Sequence, residues 1–105
     1  MYNVMFVLSE KAGRDRSASL EYWRTTHGDL VRKVPGVVTY VQHHAVGAPD
    51  GELPFLGAAT LSFEDQAAFA AAAGTQEFAD AIADVPNFAD EARLSAMFVE
   101  DVAIV

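Results

Sequence analysis

The chain has 105 residues, no cysteine, and 15 acidic against 7 basic side chains, for a formal charge of −8. That length supports a single domain over residues 1–105, and the missing cysteines exclude disulfides, thiolate metal sites and a cysteine nucleophile. So acidic a surface repels phosphate backbones and anionic membranes, so neither nucleic acid nor a bilayer is expected as partner.

Tyr2 to Leu8 (YNVMFVL) is rich in β-branched and aromatic residues and predicts a strand. It has no basic region before it and no cleavage site of small residues, so it is not taken for a signal peptide; a cytoplasmic protein is expected. Tyr2, Val4, Phe6 and Leu8 would face one way and Met5 and Val7 the other. A strand apolar on both faces needs cover on both. Lys11 to Arg16 is a polar loop whose basic residues, with Arg24, Arg32 and Lys33, could form a local patch for a small anion, and Ser17 or Ser19 is the expected cap of a first helix. Along that helix Leu20, Trp23, His27, Leu30, Val31 and Val34 fall within an arc of roughly 100°, with His27 near its middle. Pro35-Gly36 ends it.

A second strand is expected over Val37 to Val46 and a third over Phe55 to Leu61, joined by the turn-rich GAPDGELP. Ser62-Phe63-Glu64-Asp65 predicts a capping box before the helix QAAFAAAA. Gly74 interrupts this helix and Thr75 caps its continuation, with Phe78, Ile82 and Val85 on one face and Pro86-Asn87 closing it. Asp80, Asp84, Asp90 and Glu91 read as a solvated acidic face and loop. Leu94 to Val105 supplies the last strand and an apolar extension. The order βαββαβ predicts an α+β, ferredoxin-like fold with both helices on one face of a four-stranded antiparallel sheet. Two helices cover only one sheet face. A second copy of the same sheet is the simplest cover for the other, so a homodimer is expected, two sheets closing a dimeric α/β barrel.

Several residues invite chemistry. His27 would put an imidazole on the apolar stripe facing the sheet, with a pKa suited to acid–base work; the structural alternative is a core histidine satisfied by a carbonyl. Tyr40, in mid-strand, could donate to a carbonyl or enolate oxygen, or be an ordinary rim tyrosine. Trp23, one turn before His27, could wall a pocket or simply fill the core. Arg24 adjoins the stripe and could meet an anionic oxygen, or snorkel at the surface. Val31, on the stripe itself, is taken as a further ligand contact. His43 and His44 are neighbours on a strand and point to opposite faces, so they cannot chelate one ion, and no metal site is expected.

The segment LEYWRTTHGDLVRKVPGVVTYVQHH resembles the EthD family, named for ethyl tert-butyl ether degradation. The resemblance is carried by Tyr22-Trp23-Arg24, His27 with Leu30-Val31, Pro35-Gly36 and Tyr40-Val41-Gln42, and by the closing Phe98-Val99-Glu100-Asp101. In place of that family's frequent small residue and proline after the histidine stand Gly28-Asp29. The resemblance implies the dimeric ferredoxin-like barrel and a pocket for a hydrophobic small molecule. The family includes a methylmuconolactone isomerase and proteins acting on aromatic polyketides. By likeness to that isomerase, His27 and Tyr40 are the expected catalytic pair; Trp23, Val31 and Arg24 are the expected substrate contacts, and no cofactor is expected. The function expected is acid–base chemistry (isomerisation, dehydration or decarboxylation) on a lactone or polyketide-like metabolite. Cofactor-free oxygenation ranks lower, on fold analogy alone. The alternative is a non-catalytic binding or accessory protein of a degradation pathway.

Overall fold

Strand alternation and two amphipathic helical segments resolve into one sheet with helices on one side. A computed structural model describes residues 1–105. The strands are β1 (Tyr2–Ser9), β2 (Thr39–His44), β3 (Phe55–Phe63) and β4 (Ser95–Val99), all paired antiparallel in the order β2-β3-β1-β4. This is the expected ferredoxin-like arrangement. The first helical segment comprises α1 (Arg16–Tyr22), a π-helical turn (Trp23–His27) and α2 (Gly28–Arg32); the second comprises α3 (Gln66–Ala73) and α4 (Gln76–Asp84). No helix is long and apolar enough to cross a membrane.

The helix caps differ from those expected. Asp15, not Ser17 or Ser19, caps α1 by accepting from the Ala18 amide at 3.0 Å. Ser19 is instead buried inside the helix, where its hydroxyl accepts from Arg14. Ser62 and Phe63 belong to β3, so the capping box does not form, and Asp65 alone caps α3 through the Ala68 amide at 2.8 Å. Thr75 does cap α4, accepting from the Phe78 amide. Arg16 pairs with Glu10 and donates to the carbonyls of Ala45 and Phe55, both at 2.9 Å, tying the β2–β3 loop to the helix start.

The core lies between sheet and helices in two clusters. One joins Val4, Leu61 and Phe63 of the sheet to Val31, Val34, Ala72 and Ala81; the other joins Leu8, Leu56 and Ala59 to Trp23, Val85 and Phe88. Strict alternation along β3 would place Leu56 on the far face, with Ala58 and Thr60. A register shift opposite Leu8 and Ser9 turns it inward, where it is fully buried. Gly57, at φ 150°, makes that shift possible.

Candidate active site

His27 reaches the core because the π-turn carries it there. The amide of Gly28 bonds to the Trp23 carbonyl, one residue beyond α-helical spacing, and both His27 and Gly28 are buried. Thr25 contributes by donating its hydroxyl to the Glu21 carbonyl at 2.7 Å, a back-bond of the sort that bends helices. Trp23, Val31 and Val34 stay on the buried face with His27, as the stripe predicts, while Leu20 and Leu30 are half-buried.

Beside His27 lies a narrow cleft between the sheet and the helices, open on one side. Phe6 and Leu8 of β1, Ala59 and Leu61 of β3, Val31 and Val34, and Phe78 and Val85 contribute to its walls, and Ile82, 40% exposed, stands at its open side. Trp23, Val31 and Tyr40 also line it, and of 14 lining residues 13 are hydrophobic. His27 is the remaining one.

The imidazole is held from behind. His27 Nδ1 lies 2.9 Å from Asp84 Oδ2. Asp84, at the end of α4, also accepts from the Tyr22 hydroxyl at 2.6 Å and from Asn87 Nδ2 at 2.9 Å. Burial works to raise the Asp84 pKa, but the bonds from Tyr22, Asn87 and His27 outweigh it and hold the carboxyl below its ordinary range. Tyr22 shifts upward, chiefly because its proton is engaged by Asp84. Burial lowers the His27 pKa, and the opposing pull of Asp84 does not overcome it. The pair near neutrality is therefore an aspartate accepting from a neutral imidazole protonated on Nδ1. His27 Nε2 makes no hydrogen bond within the chain, and no sealed side-chain nitrogen or oxygen in the fold lacks a partner. Nε2 is thus not sealed off, and His27 is one of the residues lining the cleft.

Tyr40 lines the cleft from β2, and its hydroxyl receives Gln42 Nε2 at 2.7 Å. Burial raises its pKa. Trp23 is 1% exposed; one face of its ring is taken by His44, stacked at 4.6 Å and 12°. Arg24 is not brought to the cleft. It stands on the solvent side of the helix, where Glu21 three residues earlier pairs its charge, and it borders a polar groove with Arg32, Gln42, His44 and Tyr40, the residue that groove shares with the cleft. Asp84, taken from the sequence as part of a solvated face, is 8% exposed and is the partner of His27.

The EthD domain model matches residues 11–92. An EthD family protein from Bacillus halodurans is 28% identical, with a TM-score of 0.80 over 97% of this chain and all of that one. A dimeric ferredoxin-like protein of unknown function from Thermobifida fusca is 15% identical, with a TM-score of 0.71 over 93% of this chain and 88% of that one. A Nitrosomonas europaea protein described as a candidate antibiotic biosynthesis monooxygenase is 16% identical, with a TM-score of 0.64 over 98% of this chain and 100% of that one. These last two likenesses concern the fold. Comparison with curated proteins gives no match.

Proposed function

The chain belongs to the EthD family, and from that premise and the geometry of the cleft we propose an enzyme that moves a proton on a flat, apolar carbonyl compound. The observation that carries this is His27, with Nδ1 engaged by Asp84 and Nε2 unbonded, on the wall of a cleft otherwise lined by hydrophobic residues. Such walls take a lactone, enone or polyketide-like ring, and give it one base and one hydroxyl to meet.

The step is balanced by side chains alone. Nε2 takes a proton from carbon next to the ligand carbonyl, the C–H electron pair moves into the enolate, and the Tyr40 hydroxyl donates to the oxygen as charge develops there. The imidazolium, stabilised by Asp84, returns its proton to a different carbon for isomerisation, or to a leaving hydroxyl for dehydration. Trp23 and Val31 wall the ligand in.

We further propose that the protein acts as a homodimer, as several structurally similar ferredoxin-like proteins do. Met5 stands in register with Thr60 and Met97, and Thr60 with Val41, across the sheet face away from the helices. No Asp, Glu, Lys or Arg lies on that face in any strand. In a chain of charge −8 that is the mark of a covered surface.

Turnover of a panel of lactones and polyphenolic ketones, wild type against His27→Ala, tests the assignment. The expected result is conversion of at least one compound, with the variant slower by about a hundredfold or more. Equal rates in both proteins would remove His27 as the base. Tight binding with no conversion would identify a ligand-binding protein.

A further inference from the structure

Strand β2 alternates, with Tyr40, Gln42 and His44 half-buried and Thr39, Val41 and His43 exposed. The three half-buried residues form a chain of hydrogen bonds whose direction is fixed by chemistry. Gln42 Nε2 sits 2.8 Å from the Trp23 carbonyl oxygen, which can only accept. The amide therefore presents its NH2 group there, and its second hydrogen goes to the Tyr40 hydroxyl at 2.7 Å. Its carbonyl Oε1, 2.7 Å from His44 Nε2, must then receive a proton from His44. The His44 ring in turn stacks on Trp23. Gln42 is held at both ends of its amide, and its anchor is the same π-turn carbonyl that positions His27.

The consequence falls on Tyr40. Within the chain its hydroxyl is bonded to the Gln42 donor, with the Trp23 side chain a second and weaker one, while its own proton is committed to nothing. We infer that Gln42 is a positioning residue that makes Tyr40 a hydrogen-bond donor to an oxygen of the ligand. This rests on the enzymatic role proposed for the cleft. It deepens that role by narrowing the ligand to one whose reacting oxygen accepts: a carbonyl, rather than a hydroxyl that needs an acceptor. The ionisable groups around Tyr40 are all basic: His27 across the cleft, His44 through Gln42, and Arg24 and Arg32 along the groove. Gln42→Met takes away the hydrogen-bond partner of His44 as well, and leaves His27, Arg24 and Arg32 without a lost side-chain bond.

The first test needs no substrate. The Tyr40 phenol is titrated in wild type and in Gln42→Met, with Tyr40→Phe to assign its signal. Loss of a donor that favours the phenolate shifts the titration upward, and an unchanged titration in a folded Gln42→Met protein would overturn the inference. Should that variant not fold, nuclear Overhauser contacts between the Gln42 side-chain amide and the Tyr40 ring in wild type decide, and their absence overturns it equally. Both readouts stand even if no compound is turned over, so failure of the enzymatic reading is distinguishable. With a converted compound in hand, Gln42→Met is expected to lose about tenfold in kcat with KM within about twofold. Joined to Tyr40→Phe it should add nothing, because it acts through that hydroxyl. Full additivity would mean that Gln42 works independently of Tyr40.

Discussion

An imidazole can serve as a base only in the tautomer that leaves the working nitrogen bare. Asp84 enforces that tautomer, since a carboxylate accepts and so requires the proton on Nδ1. Asp84→Asn keeps the shape but can present an NH2 group to Nδ1, drawing the proton to Nε2 and blocking the base. The expected result is a loss of about a hundredfold or more in kcat, with little change in KM. The pH profile carries a sign as well. Burial lowers the His27 pKa below its ordinary 6.5, so the wild-type base is active above that lowered value and the acid limb of kcat/KM falls on the acid side of 6.5. In the variant the carboxylate that pulls the pKa back up is gone, so any residual activity should keep its acid limb at still lower pH. An acid limb moved toward neutrality would contradict the assignment. His27 was legible in the sequence because a polar residue interrupts an apolar stripe. Asp84 was not, because it sits among other acids and its partner is 57 residues away. Only the fold reveals that one acid of the run turns inward.

Among the elements, β3 shows where pattern reading stops. Its strand character and antiparallel partner follow from composition and the βαββαβ order, but an alternating pattern cannot announce a bulge. Gly57 is the residue on which the bulge depends. A Cβ there would lie 1.8 Å from the His43 carbonyl oxygen, backbone that cannot swing aside, at a φ of 150° that L side chains avoid. Gly57→Ala should therefore cost roughly 2 kcal/mol or more and lower Tm by on the order of 10 °C. Gly47→Ala, where nothing lies within 4 Å, is the control and should leave Tm nearly unchanged. Thermal unfolding followed by circular dichroism separates the two, and equal effects would show that the close approach is relieved at little cost. The caps were misassigned for a related reason. Serine and aspartate both cap helices, and Asp15 and Asp65 won because each stands at the point where the chain turns into its helix. The π-turn had no signature in hydrophobic period, since its extra residue widens the buried stripe without breaking it.

At the scale of the molecule, the sequence pointed to dimerisation through a simple count of faces: β1 is apolar on both, and the helices cover one. The structure supplies the register that makes the idea testable. Val41 and Met97 lie in one row at the two edges of the sheet and are 48% and 47% exposed in the single chain. A charge at either position costs the isolated fold little, because each is already half in water. In a sheet-to-sheet interface the same charges would be buried without partners, at several kcal/mol each. Val41→Glu with Met97→Glu should therefore leave the circular dichroism spectrum unchanged while converting a wild-type dimer to monomer, with association weakened at least ~100-fold by sedimentation equilibrium. A wild-type protein that sediments as a monomer at micromolar concentration would refute the shared barrel. A dimer that tolerates both charges would place the interface elsewhere and leave the apolar face to another partner. The active site adds a second readout. The cleft and the His27–Asp84 pair are built within one chain, so the monomeric variant should keep the Tyr40 titration of wild type. A change in that titration on dissociation would mean that the second copy reaches the site, tying assembly to chemistry.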